Sequence, residues 1–520
     1  MQLSTESVAS TPAQAPTELT HREIMEVLFG LLAALFTAIL SSTIVSNALP
    51  TIIAELDGSQ IQYTWVVTAS LLAMTVSTPI WGKLSDLVNK KVLVQISIVV
   101  FVVGSVLAGL SRNLPELISM RVVQGVAMGG LTANAQSIIG SIIPPRQRGR
   151  YSGYMGATMA VATVSGPLLG GLIVDTPGLG WRWTFFVCVP LALISLVVLQ
   201  KYLHIATVRR KVDFDYVGAV LIAIAASLPL LWVTFAGDSF DWLSWQSAAF
   251  IGGTVLASVL LVRVELRHPE PLLPIGVVRE RTTALAIVGS IAVGIAMFGA
   301  SVFIGQYFQV AGGRTPTEAG LLTIPLMLGS LFGTLLSGQL ITRFGRWKRF
   351  LVIGSASLIL GLGLLSTIDH RTPEWHAMTF IAFVGIGMGM LLQNYVLAVQ
   401  NTVDVSQVGA ASATVAFFRS LGGAVGVSVL GAILASQVKN DVTSKLAALG
   451  VDPASGGGSL LDVKNLPPEV AEIVRSAYGD ATGTIFLVAA CVAVLSLVAA
   501  LLIREVPLRL TVRKDDADQA

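Results

Sequence analysis

The sequence predicts an all-α integral membrane protein: fourteen transmembrane helices, arranged as two six-helix bundles plus two extra helices. Three observations carry that expectation. Of the 520 residues, 54% are hydrophobic and only 12% charged, against about 25% charged in a soluble domain, so lipid must cover much of the surface. The apolar residues fall in long runs with uncharged middles. A loop sequence also recurs: Gly82–Lys91, GKLSDLVNKK, is echoed imperfectly at Gly338–Lys348, GQLITRFGRWK. Gly82 aligns with Gly338, and each loop ends in a basic tail. A glycine lets two helices turn back within a short loop, Lys and Arg hold such a loop on the cytoplasmic face, and two loops in register indicate two similar halves.

A spanning helix needs roughly 20 apolar residues. In order, the stretches that qualify are 26–50, 62–82, 92–110, 115–139, 149–174, 183–203, 214–235, 246–264, 283–308, 318–341, 349–368, 376–400, 409–435 and 481–503. Residues 1–22 lack the basic start and apolar core of a signal peptide and read as a disordered cytoplasmic tail. The first six stretches make an N-terminal bundle over 23–204. The seventh and eighth, within 205–265, lie outside the repeat. The last six make a C-terminal bundle over 266–504, with a hydrophilic extracytoplasmic loop at 436–480. Within that loop, 467–478 reads either as solvated chain or as a short amphipathic helix. Residues 505–520 form a second cytoplasmic tail. An even count puts both termini on one side. Basic clusters at Arg146, Arg148 and Arg150, at Arg209, Arg210 and Lys211, and at Arg343, Arg346, Lys348 and Arg349 make that side the cytoplasm.

Composition excludes several functions. The net charge is +3, and the bases sit in short clusters between apolar runs, which is no nucleic-acid footprint. Both cysteines, Cys188 and Cys491, lie inside apolar runs, which excludes a disulfide framework or a zinc cluster. No metal site and no cofactor is expected. No GxxxxGK[ST] loop is present, so ATP is not the direct energy source. A membrane-embedded enzyme would need clustered His, Asp or Glu, and none is found.

Charges inside a membrane are costly and usually functional. Arg121 begins RVVQGVAMGG, with Gln124 and Gly125 three and four positions on, and so on its face of a helix. The three either line a polar wall, continued by Asn134, or Arg121 snorkels to the headgroups. Arg419 begins RSLGGAVG and reads equally as a cavity charge or as a clamp on carbonyls near Gly422. Pro167 must kink the fifth stretch, and Gly166 and Gly170 allow close approach of a neighbour; a moving joint and a static kink both fit. Ser41, Ser42, Asn47, Gln306, Tyr307, Gln393 and Asn394 are polar groups within apolar runs. They face a cavity or bond between helices. No Asp, Glu or His lies near the centre of any stretch.

Together these residues resemble the major facilitator superfamily. Gly82, Leu84, Asp86, Lys90 and Lys91 match its loop 2–3 signature, although Leu87 and Asn89 depart from it. RVVQG at 121–125 resembles the helix 4 signature. Gly153 with GPLLGG, which holds Gly166, Pro167, Gly170 and Gly171, resembles the antiporter signature. SSTIVSNALP at 41–50, WRWTFFVCVP at 181–190, RHPEPLLP at 267–274 and FFRSLGGAVG at 417–426 resemble the fourteen-helix drug:proton antiporter branch. The resemblance implies two bundles rocking around a central cavity, with Asp86 as part of a conformational switch and Arg121 in proton coupling. One departure stands out: Ser41 occupies the place of the branch's usual helix 1 aspartate.

The expected function is secondary export of lipophilic or amphipathic small molecules, coupled to protons by alternating access. Export of a specific metabolite, antibiotic or lipid with different coupling is the alternative, and a non-transporting receptor the remote one. The expected setting is a monomer, in the lipid bilayer of a bacterial cytoplasmic membrane.

Overall fold

The computed structural model describes residues 21–142, 148–203, 214–236, 240–269, 271–273, 275–403, 408–448 and 467–507. Residues 1–20 and 508–520, Arg146 and Arg209–Lys211 lie outside the described residues, as do the side chains of Asp86, Arg148 and Arg150 and the surroundings of Gly153.

The chain is helical, with no strand among the described residues. The N-terminal half comprises α1 (His21–Glu55), α2 (Gln60–Leu87), α3 (Lys90–Gly109), α4 (Leu114–Ile142), α5 (Arg148–Asp175), a single turn α6 (Trp183–Phe186) and α7 (Cys188–Tyr202). Then come α8 (Tyr216–Phe235), α9 (Trp245–Glu265) and the short α10 (Ile275–Val278). The C-terminal half comprises α11 (Arg281–Gln306), which runs into a π-helical turn at Tyr307–Ala311, then α12 (Pro316–Leu322), α13 (Ile324–Phe344), α14 (Lys348–Leu365), α15 (Glu374–Thr402), α16 (Val408–Ala448) and α17 (Pro468–Leu502). Counting consecutive pieces together, 12 helices among the described residues are long and apolar enough to cross a membrane. The helices α4 and α5 add lengths of 29 and 28 residues, so each expected apolar stretch is helical.

The halves are built alike. In the first, α1 packs on α5 and α7, α2 on α4, and α3 on α4 and α7. In the second, α11 packs on α16 and α17, α13 on α15, and α14 on α15 and α17. The local chemistry repeats too. Ser59 and Gln62 form a capping box at the start of α2, and Thr315 and Glu318 form one at the start of α12. Their spacing equals that between Gly82 and Gly338. Each box satisfies two backbone N–H groups that a helix start leaves without partners. Between the halves, α2 meets α16 and α5 meets α12, while the α8–α9 pair lies against α2 and α16 through α8.

One expectation fails. The segment 436–480 is not a loop at its ends: residues up to 448 continue α16, and those from 468 begin α17. Val438, Val442 and Leu446, one turn apart, form a buried seam, and Ala471, Val474 and Ala477 are buried where α17 packs on α16. The extension is held by Gln437 Nε2 donating to Thr484 Oγ1 (3.1 Å) and Lys445 Nζ to Ser476 Oγ (3.1 Å). Polar residues outnumber apolar ones along it, so average hydropathy hides the stripe that packs. The stretch 467–478 is therefore the first turns of a 35-residue helix.

Candidate functional site

Arg121 is 1% exposed, which removes the snorkelling alternative. Its Nε donates to the Val66 carbonyl (3.1 Å), one terminal nitrogen to Gln124 Oε1 (2.9 Å) and the other to Ser70 Oγ (2.8 Å). Gln124 Nε2 in turn donates to Ser105 Oγ (2.8 Å). The guanidinium thus ties α4 to α2, and its glutamine ties α4 to α3. Gly125 permits this, because a Cβ there would collide with the Ser70 carbonyl. These partners of Arg121 are neutral oxygens. A buried guanidinium stays charged, so this cluster places an uncompensated positive charge inside the N-terminal half. Further along α4, Asn134 Nδ2 donates to Ser97 Oγ (3.4 Å).

The second polar set joins the halves. The Asn47 amide donates one hydrogen within the N-terminal half, to the Pro167 carbonyl on α5 (3.0 Å), and the other across to the Pro316 carbonyl on α12 (2.7 Å). Gln309 Nε2 donates to the Asn47 carbonyl (3.0 Å). Thr317 N–H donates to Asp175 Oδ2 (2.9 Å). Gln60 and Gln306 bond reciprocally (2.6 and 3.2 Å), and the Tyr478 hydroxyl donates to Gln60 Oε1 (3.2 Å). Deeper along α2, the Tyr63 hydroxyl reaches the Val302 carbonyl (3.3 Å) and Ser428 donates to Thr68 Oγ1 (3.2 Å). All of these bonds between the halves lie toward one end.

Glycines make the approach close. Between the halves, a Cβ at Gly171 would sit 2.5 Å from Thr317 Cα and one at Gly320 2.6 Å from the Pro167 carbonyl, and one at Gly431 would strike Thr64; within the N-terminal half, Gly170 and Gly166 bring α5 against Ile44 and Thr43 of α1. At the opposite end a Cβ added at Gly82, Gly338 or Gly345 would meet nothing within 4 Å. Among the described residues, the close contacts between the halves gather at one end, away from the repeated loops.

Residues 31–427 match the Major Facilitator Superfamily. The chain belongs to that family. Among relatives of this facilitator, an uncharacterised MFS-type transporter of Mycobacterium tuberculosis is 35% identical, covering 98% of this chain and 74% of its own length. Multidrug transporter protein MdtP of Bacillus subtilis is 32% identical over 80% of this chain and 76% of its own. Two solved structures share the fold: a bacterial homologue of the human lysosomal transporter Spinster, inward-facing and unoccupied (TM-score 0.62, 17% identity, 94% of this chain and 100% of that one), and an auto-inhibited POT family peptide transporter (TM-score 0.63, 16% identity, 94% and 98%).

The remaining sequence candidates of the facilitator scatter. Asn47 and Gln306 bond between the halves. Tyr307, in the π turn, donates to the Asp369 carbonyl (2.8 Å) beside a pocket of about 300 Å³ at the clasped end. There the Thr372 hydroxyl holds the Asp369 carboxyl below the usual carboxylate range. Asn394 turns back on the Met390 carbonyl of its own helix (2.6 Å). Ser41 is buried beside Cys188 of α7, inside the N-terminal half, and Ser42 is half-buried. Arg419 is half-buried and reaches the Leu392 carbonyl (3.5 Å), next to the exposed Gln393. Lys90 Nζ donates to the Ser137 carbonyl (3.2 Å) and Lys91 Nζ to the Gln200 carbonyl (2.7 Å), so the basic tail of the loop ties α3 to α4 and α7. Sequence reasoning passed over Gln60, Gln309, Ser70, Ser105 and Tyr478. Gln60 opens α2 directly after the capping Ser59; the others carry no local signal.

Proposed function

We propose that this transporter exports lipophilic or amphipathic small molecules from the cytoplasm in exchange for protons, by alternating access. The observation that carries the reading is the one-sided clasp between the halves. A carrier that opens to either side in turn needs contacts strong at one end and absent at the other, and ones that can be traded. Amide pairs and glycine contacts suit that exchange, because each is worth only about 0.6–2 kcal/mol in a membrane. With both termini cytoplasmic, as the basic clusters imply, the clasped end is the outer one and the molecule opens inward. The GPLLGG segment of α5 lies in the clasp, which favours the moving joint over the static kink. Relatives named multidrug transporters or efflux pumps support export.

Substrate charge is read from what surrounds the interior. Ser41 replaces an acid, while Arg121 and Arg419 supply positive charge. Neutral or anionic lipophiles fit this interior better than cationic dyes, and a specific metabolite, antibiotic or lipid exporter is the second reading. Flux into inside-out vesicles decides both points. Collapse of the proton gradient should abolish it, and uptake that persists would remove proton exchange. A panel of acidic, neutral and cationic lipophiles should rank the cationic compounds last.

A further inference from the structure

Two acids close the base of the α8–α9 pair. Asp215 precedes α8, Glu265 ends α9, and each is 2% exposed. One oxygen of each is in use: Asp215 Oδ1 accepts from the Gly218 N–H (2.6 Å), capping α8, and Glu265 Oε2 accepts from the Leu273 N–H (3.1 Å). The other two, Asp215 Oδ2 and Glu265 Oε1, are buried without a hydrogen-bond partner. Asp215 is the acid whose charge bears on Glu265, and His268 is the base that does so. An apolar ring of Ile222, Leu261, Leu272, Leu273, Phe417 and Phe418 joins α8, α9 and the 271–273 segment to α16. Among the described residues, the other charged groups on adjoining elements are Arg263, Arg267, Arg279 and Glu280, which are exposed, and Arg419 of α16, which reaches α15.

Buried acceptors without donors are rare and call for an explanation. Two neighbouring buried carboxylates repel and lose hydration together. A multidentate metal is a poor remedy: no group of three or more metal-ligating side chains occurs among the described residues. A proton is the small cation that fits, since a protonated carboxyl becomes a donor. We propose that Glu265, with Asp215 beside it, forms a proton-binding pair, in which one proton on Glu265 Oε1 relieves the repulsion between the two buried carboxylates. The proton comes from water and returns to it, and the pair's charge changes by one. Phe417 and Phe418 belong to the ring and directly precede Arg419, so the pair's charge state bears on the start of α16, the helix that also meets α2. Its link to export rests on the proton-exchange reading; proton binding does not.

The test is a proton count on the full chain in nanodiscs, without substrate. Glu265→Gln keeps the shape and an acceptor for Leu273 and removes the charge, so it mimics the protonated pair. Between alkaline and mildly acidic pH, Glu265→Gln should take up one proton fewer than the parent, and its infrared spectrum should lose a protonated-carboxyl band. Asp215→Asn should keep that band at a shifted frequency. Equal uptake in parent and Glu265→Gln overturns the pair, as it would if water or a basic side chain satisfies the two oxygens. Should Glu265→Gln fail to fold, an unshifted band in Asp215→Asn overturns it equally. Flux is measured separately: flux without proton dependence removes the exchange reading and leaves the count standing.

Discussion

Arg121 and Asn47 do different work with the same chemistry. Arg121 spends its donors within one half and so fixes α2 against α4. Hydrogen bonds from a charged donor contribute about 1.5–3 kcal/mol each, and Arg121→Ala removes three, leaving the Val66 carbonyl, Ser70 and Gln124 buried. Its melting temperature in detergent should fall sharply. Arg121→Lys keeps the charge but not the planar fork. It should fold, and its flux should fall at least tenfold; full flux would make the residue a packing group alone. Asn47 spends one donor on α5 of its own half and the other on α12 across the clasp, so its loss weakens a state as well as a local contact. The donor bond that crosses to Pro316 is worth roughly 0.6–1.7 kcal/mol in a membrane, up to about a tenfold change in population. In Asn47→Ala, a cysteine placed at Ser46 should react faster with an impermeant thiol reagent, by up to roughly tenfold. An unchanged rate would mean that the amide does not hold the clasp.

At the scale of elements, glycine position separates clasp from loop. Gly171→Ala puts a methyl against the backbone of α12, and overpacking of this kind costs about 1–3 kcal/mol. It should open the clasped end and lower flux, while Gly338→Ala, which meets nothing within 4 Å, should leave both unchanged. Flux is the measure for both. The same contrast shows what was legible. Helix positions followed from apolar run length, because lipid demands it. Pro167 and the glycines around it announced a close, bent helix, but their partner α12 begins 149 positions after Pro167 in the chain, and nothing local points to it. The extension of α16 and α17 was missed because its apolar seam is one residue in four. Gln306 and Asn394 looked alike as polar breaks in apolar runs, yet one bonds across the molecule and the other to its own helix. That choice is made by tertiary packing. The acids at 215 and 265 sat at helix ends, where a carboxylate ordinarily meets water.

For the whole molecule, the recurring helix pairings and the twin capping boxes describe one unit used twice, and the clasp is where the copies touch. Orientation follows from the basic loops: a reporter fused after Ala520 should read as cytoplasmic, and an outer readout would invert every statement about which end is closed. The exchange itself is measurable by distance. In a chain lacking Cys188 and Cys491, spin labels at Arg112 and Arg371 straddle the clasped end, and labels at Val88 and Phe344 straddle the open one. All four positions are exposed. Pulsed electron resonance in proteoliposomes, with and without a proton gradient and substrate, should show the first distance lengthening as the second shortens. Two distances that stay fixed, or that change in the same direction, would contradict a carrier that opens its ends in turn.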